Sequence, residues 1–222
     1  MKIGGYRTLS TVDYPGKIVA TIFTVGCNFW CEYCHNYQFI NETEYQEWLN
    51  FDEVLSHLKK RENLLDGVCI TGGEPLIHFE NIVEMIKQIK KACPSFKIKL
   101  DSNGSSLSKI KAITPYIDYI AVDFKGFDYY NYSKAPIELE AIIHYLSSVK
   151  MPYEIRLTLY PEYFPKKDFD KVVKILKNAE KVSIQQYKSE NVRVVKTPYS
   201  HDVLNDLKER FEKYGSSVTV KY

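Results

Sequence analysis

Three cysteines fall within eight positions of the sequence: Cys27, Cys31 and Cys34 in VGCNFWCEYCHN, spaced C-x3-C-x2-C. Thiolates suit zinc or iron–sulfur clusters. Structural zinc takes four closed ligands, usually from two C-x2-C pairs. The two other cysteines fit that need poorly. Cys69 lies in the apolar run GVCITG, where a free cysteine behaves as a small core residue. Cys93 ends a helical pattern before Pro94. His35 could complete a Cys3His zinc site. A [4Fe–4S] cluster on three cysteines instead leaves one iron without a protein ligand, open to a small molecule. A disulfide within the trio is the third reading, and a reducing compartment counts against it.

Other polar residues are placed as chemistry would place them. TGGEP (71–75), DSNG (101–104) and DFKG (123–126) each follow a β-rich run. Asp101 and Asp123 are two carboxylates at adjacent strand ends. Unpaired they would repel, so Lys125 or a bound cation is expected between them. Each also reads as an N-cap of the helix that follows. Arg156, inside YEIRLTLY, needs an anionic partner, because a lone charge in an apolar strand is costly.

The elements that position these residues follow from periodicity. Strands are expected over 17–25, 66–72, 96–103, 118–125, 153–160 and 181–187, and helical patterns over 51–61, 79–93, 106–113, 137–149, 167–178 and 202–214. In FENIVEMIKQIKKAC, Ile82, Ile86 and Ile89 form one apolar stripe. Strands alternating with helices imply parallel βαβ units. Six units are too few for a complete eight-unit barrel. The expected fold is therefore α/β, a partial (β/α)6 barrel, with an open doubly wound sheet as the alternative. SSVTVKY at the end adds one further strand at an edge. Loops after parallel strands gather at one rim, where sites are built, and the polar groups above all lie in such loops.

Composition sets the frame. The 222 residues are 45% apolar and 26% charged, with net charge +2, which points neither to nucleic acid nor to an anionic membrane as partner. MKIGGYRTLSTVDYPGK lacks the apolar core of a signal peptide, and IVATIFTVGC is too short to span a bilayer, so the chain reads as cytoplasmic. Three clustered cysteines among five fit thiols kept reduced for metal binding.

CNFWCEYC, with Tyr33 as the aromatic, resembles the C-x3-C-x-(aromatic)-C signature of the radical S-adenosylmethionine superfamily, and Gly72-Gly73-Glu74-Pro75 resembles its second motif. LSTVDYPGK and CHN further resemble the activating enzymes of glycyl radical enzymes, most closely those serving anaerobic ribonucleoside-triphosphate reductase. The resemblance implies one radical SAM domain over 1–222. It implies a [4Fe–4S] cluster on Cys27, Cys31 and Cys34, with S-adenosylmethionine chelating the fourth iron. Gly72 and Gly73 would let backbone approach the methionine end, and Glu74 would face its amino group. Asp101, Ser102, Asp123 and Lys125 would line the cofactor site, with Lys125 and Arg156 near the carboxylate and Tyr33 and His35 flanking the adenine. The implied activity is reductive cleavage of S-adenosylmethionine to a 5′-deoxyadenosyl radical, which takes hydrogen from a glycine of a partner enzyme in anaerobic metabolism. Implied partners are that glycyl radical enzyme and a one-electron donor such as flavodoxin or ferredoxin, with no membrane and no nucleic acid. A radical enzyme acting on a small molecule, an RNA base or a peptide is the second reading. A non-catalytic metal or electron carrier is the third, which leaves GGEP and the strand-end carboxylates unexplained. Trp30 and Glu32 depart from the basic residue and proline that such enzymes commonly carry before and after the second cysteine.

Overall fold

A computed structural model of the chain describes residues 2–127 and 138–222. Its strands are β1 (Ile3–Ser10), β2 (Val19–Thr24), β3 (Gly67–Gly72), β4 (Lys97–Ser102), β5 (Tyr119–Phe124), β6 (Tyr153–Leu159), β7 (Lys181–Gln186) and β8 (Ser217–Lys221). The helices among the described residues are α1 (Phe51–Lys60), α2 (Phe79–Ala92), α3 (Leu107–Ile113), α4 (Leu139–Ser148), α5 (Phe169–Leu176) and α6 (His201–Glu212), with short 3-10 turns between some elements. Every strand and helix expected from periodicity is present, its ends shifted by a residue or two. Ile137, where the α4 pattern begins, lies outside the described residues. β1 was not expected from periodicity: IGGYRTLS does not alternate cleanly and carries two adjacent glycines. Gly4 is needed there because a Cβ would come within 2.7 Å of the Phe39 ring.

The strands occupy one sheet in sequence order, β1 to β8. A doubly wound sheet reverses its strand order at a switch point. No reversal occurs, so the alternative falls and the order is that of a partial (β/α) barrel. β8 is an added edge strand, as expected, and β1 is the opposite edge, antiparallel to β2.

Contacts divide the chain into two compact units with interleaved segments: Met1–Trp30, Asn36–Ser102 and Ser108–Ile120 in the first, and Cys31–His35, Asn103–Leu107 and Ala121–Tyr222 in the second. In the first, β2 pairs in parallel with β3 from Val19↔Gly67 to Thr24↔Gly72, and β3 pairs in parallel with β4. Residues that are apolar on both faces make these strands an interior layer, with Val19, Ala20, Ile22, Val68, Ile70, Ile98 and Leu100 fully buried. α2 buries the stripe Ile82, Met85, Ile86 and Ile89. In the second unit β6, β7 and β8 pair in parallel. Ile155, Leu157, Val182 and Ile184 are buried there, as are Ile142 of α4, Val172 of α5 and Phe211 of α6.

Candidate active site

In the first unit the parallel register aligns the ends of β2 and β3, so the loops that follow them start side by side. Gly73 N–H donates to Thr24 O (2.9 Å) and Glu74 N–H to Gly26 O (2.8 Å), which fastens the GGEP turn to the start of the cysteine loop. Both glycines are forced by that closeness. Gly72 has φ +113°, and a Cβ on Gly73 would lie 2.0 Å from the Gly26 carbonyl oxygen. Asn36, from the CHN motif, reaches back to the Gly72 carbonyl at 3.5 Å. At Cys27 the sulfur accepts the Phe29 N–H (3.4 Å).

Glu74 is almost wholly buried. Its Oε1 accepts the Leu76 N–H (3.1 Å), capping the 3-10 turn Pro75–His78, and the Ser102 hydroxyl (3.0 Å). Ser102 thus orients Glu74 from the end of β4. Asp101 forms an ion pair with Lys99, two residues earlier on the same strand and itself fully buried. The Cys69 sulfur lies 3.9 Å from both the Lys99 Nζ and Asp101 Oδ1. Sequence reasoning placed Lys125 or a cation at the two aspartates and missed Lys99. Alternation with Ile98 and Leu100 puts Lys99 on the opposite face of β4, where the sequence alone gives no sign that it is buried.

In the second unit Asp123 gathers two cations. Arg156 Nε donates to Oδ1 (2.6 Å) and Lys125 Nζ to Oδ2 (3.2 Å). Burial opposes ionisation of Asp123, but Arg156 and Lys125 outweigh it and hold the carboxyl well below the usual carboxylate range. This is the anionic partner that Arg156 required. Lys125 also sits 5.6 Å from the centre of the Tyr33 ring, which ties the DFK segment to the cysteine loop. The Tyr33 ring is buried, packed at 5.3 Å on Tyr160 and 5.5 Å on Tyr163. Cys34 N–H closes a turn onto Cys31 O (3.3 Å), and His35 is exposed. The tyrosines Tyr160 and Tyr163 around this loop were not singled out from sequence, and sequence alone assigns Tyr187 no role.

A family model described as the radical SAM superfamily matches residues 21–195, which run through both units. The chain belongs to the radical SAM superfamily. Radical SAM enzymes work with a [4Fe–4S] cluster and S-adenosylmethionine, and these are the cofactors of this chain. This chain fits the pair. All five cysteines are free thiols; Cys31, Cys69 and Cys93 are buried, and Cys27 and Cys34 are partly exposed. Among the described residues no three His, Cys, Asp or Glu side chains are grouped to hold a single metal ion.

Over its whole length the radical SAM chain is similar to a protein of Methanocaldococcus jannaschii provisionally named a glycyl-radical enzyme activating enzyme, with 28% identity covering 99% of this chain and 95% of that one. It is 27% identical to a pyruvate formate-lyase-activating enzyme of Staphylococcus aureus, covering 86% of this chain and 82% of that protein. Among solved structures, Streptococcus suis SuiB superposes on 91% of this chain and 48% of its own, with TM-score 0.66 at 15% identity. A domain of the pyruvate-formate lyase-activating enzyme from Bacteroides vulgatus covers 70% of this chain and 99% of its own, with TM-score 0.57 at 19% identity. These structures speak to the fold. No helix among the described residues is long and apolar enough to cross a membrane.

Proposed function

We propose that this radical SAM enzyme is an activating enzyme that installs a radical on a glycine of a partner glycyl radical enzyme, and that the partner is an anaerobic ribonucleotide reductase. The observation that carries the activase reading is the alignment with a glycyl-radical enzyme activating enzyme over 99% of the chain. The choice of reductase rests on the LSTVDYPGK and CHN segments. The site would be used as follows. Cys27, Cys31 and Cys34 hold the cluster. The cluster and S-adenosylmethionine together supply the radical that abstracts hydrogen. The charges of the chain match the cofactor's groups. Glu74, whose hydrogen bonds described above come from the neutral donors Ser102 and Leu76, offers negative charge to the amino group. The Lys99–Asp101 pair is neutral overall and suits a ribose hydroxyl. Asp123 with Lys125 and Arg156 carries one net positive charge and suits the carboxylate. Tyr33 and His35 flank the adenine, Tyr33 through its backbone because its ring is committed to packing. Residues 1–222 act as one catalytic domain, since the family match runs through both units. The enzyme works in the cytoplasm and takes electrons from a flavodoxin or ferredoxin.

The test is electron paramagnetic resonance on the reconstituted, reduced enzyme with S-adenosylmethionine and a co-encoded candidate reductase. The expected result is a glycyl radical doublet that disappears when the candidate glycine is changed to alanine. Cofactor cleavage that consumes a small molecule, RNA or a short peptide, and never transfers a radical to such a partner, would refute the activase reading.

A further inference from the structure

The segment after β7, residues 187–196, is not used by any part of the chemistry above, yet it is tied to the cysteine loop. Glu32, between Cys31 and Cys34, is held at three points. Its Oε2 accepts the Tyr160 hydroxyl (2.7 Å). Its backbone N–H donates to the Tyr163 hydroxyl (3.4 Å). Its carbonyl accepts the Val194 N–H (3.2 Å). Val194 is fixed in turn, because its own carbonyl accepts the buried Tyr187 hydroxyl (3.0 Å), which also accepts the Lys196 N–H (3.2 Å). Lys196 closes the ring through an ion pair with Glu162. The rings form a continuous, mostly edge-to-face cluster: Tyr160 lies 4.9 Å from Tyr163 and 5.0 Å from Tyr187, and both Tyr160 and Tyr163 pack on Tyr33.

We propose that Tyr160 and the 187–196 segment form a clasp that fixes the Cys31–Cys34 turn for cluster binding, with Glu32 as the positioning residue through which the clasp acts. The chemistry of the contacts supports this. A loop of short C-x2-C spacing has little secondary structure of its own, and thiolates hold a cluster only if their backbone is kept at the right separation. Groups behind the ligands supply that restraint, and losing one typically weakens metal retention by tens of times. The hydroxyl of Tyr160 is fully buried, and burial with the hydrogen bond to Glu32 pushes its pKa far up, so it stays a donor throughout the working range. The inference rests on the cluster assignment of the radical SAM family and adds a device of this chain's own.

The experiment uses the full chain, reconstituted anaerobically with iron and sulfide, and reads the rate of iron release to a chelator together with the melting temperature of the apo-protein. Tyr160→Phe keeps the ring and removes only the hydroxyl. Glu32→Ala removes the acceptor, and Glu32→Gln restores an acceptor oxygen. Tyr199→Phe removes a hydroxyl that donates to Phe164 O (3.0 Å) rather than to Glu32 and controls for general loosening. Expected are iron release about tenfold faster in Tyr160→Phe and Glu32→Ala, and near wild-type release in Glu32→Gln and Tyr199→Phe. Wild-type release in both Tyr160→Phe and Glu32→Ala overturns the clasp. So does equal acceleration by Tyr199→Phe. A wild-type protein that takes up no cluster overturns the cofactor assignment first, and the clasp with it.

Discussion

Replacing Gly73 with alanine separates two reasons for the glycine pair. One is close approach of the cofactor. The other, visible in the structure, is close approach of the chain to itself. An added Cβ would sit 2.0 Å from Gly26 O, 2.7 Å from its carbonyl carbon and 3.3 Å from its nitrogen. A normal carbon–oxygen contact is more than an ångström longer, so the backbone one residue before Cys27 has to move. Gly73 is not among the residues with positive φ, so the cost is steric alone. Overpacking a rigid site costs about 1–3 kcal/mol, and losing the Glu74 N–H to Gly26 O bond about 1 kcal/mol more. For a chain of this size each kcal/mol moves the melting temperature by about 2–4 °C, so Gly73→Ala should lower that of the apo-protein by about 4–16 °C. The assay is thermal unfolding of the apo-protein by circular dichroism, beside iron uptake and S-adenosylmethionine affinity. An apo-protein that melts like wild type while cofactor binding is lost would refute the packing argument and return the glycine to the cofactor.

Three further outcomes are expected. Cys27→Ala, Cys31→Ala and Cys34→Ala should each abolish the cluster absorbance after reconstitution, while Cys93→Ala, which removes a buried core thiol, should keep it. Lys99→Met should destabilise the protein by about 3–5 kcal/mol in denaturant titrations because it strips a buried carboxylate of its cation, and the double change Lys99→Met with Asp101→Asn should recover most of the loss. Asp123 has a depressed folded pKa, so its contribution to stability is complete above the ordinary carboxylate value near 4 and is lost as pH falls below it; Asp123→Asn should be less stable than wild type at pH 7 and show a shallower loss below about pH 4.

The sequence carried most of the scaffold because the scaffold is periodic. α2 is legible from three isoleucines, and β2 to β4 from apolar runs bounded by glycine or aspartate. The ligand cysteines were legible from spacing, and Glu74 from its glycines. Long-range pairings were not. Lys99 looks like any strand lysine until its burial beside Asp101 is seen. Glu32 reads as a departure from relatives, and its partner Tyr160 is 128 positions away. Eighteen tyrosines scattered through a chain give no hint of which four will cluster. β1 was missed because what makes it a strand is the neighbouring β2 rather than its own composition.

The STVDYPG segment, by contrast, has a role unrelated to its use as a family signature. It joins β1 to β2 at the end of β2 away from the cysteine loop. The Ser10 hydroxyl oxygen accepts the N–H groups of Val12 and Asp13, and Asp13 takes the Thr21 hydroxyl at 2.6 Å. Lys17 N–H closes a turn onto Tyr14 O around Gly16 at φ +69°. The connection is residues 11–18, whereas joining β2 to β3 takes residues 25–66, about five times as many. Each doubling of a loop adds about 0.6 kcal/mol of closure entropy, so the β1–β2 ladder closes more cheaply than the parallel β2–β3 ladder by roughly 1.4 kcal/mol. The hairpin therefore has the smaller entropic barrier of the two, and it presents β2 as a finished edge against which β3 can be laid down. The same short turn is made by a part of the chain synthesised well before the last strands exist to be paired.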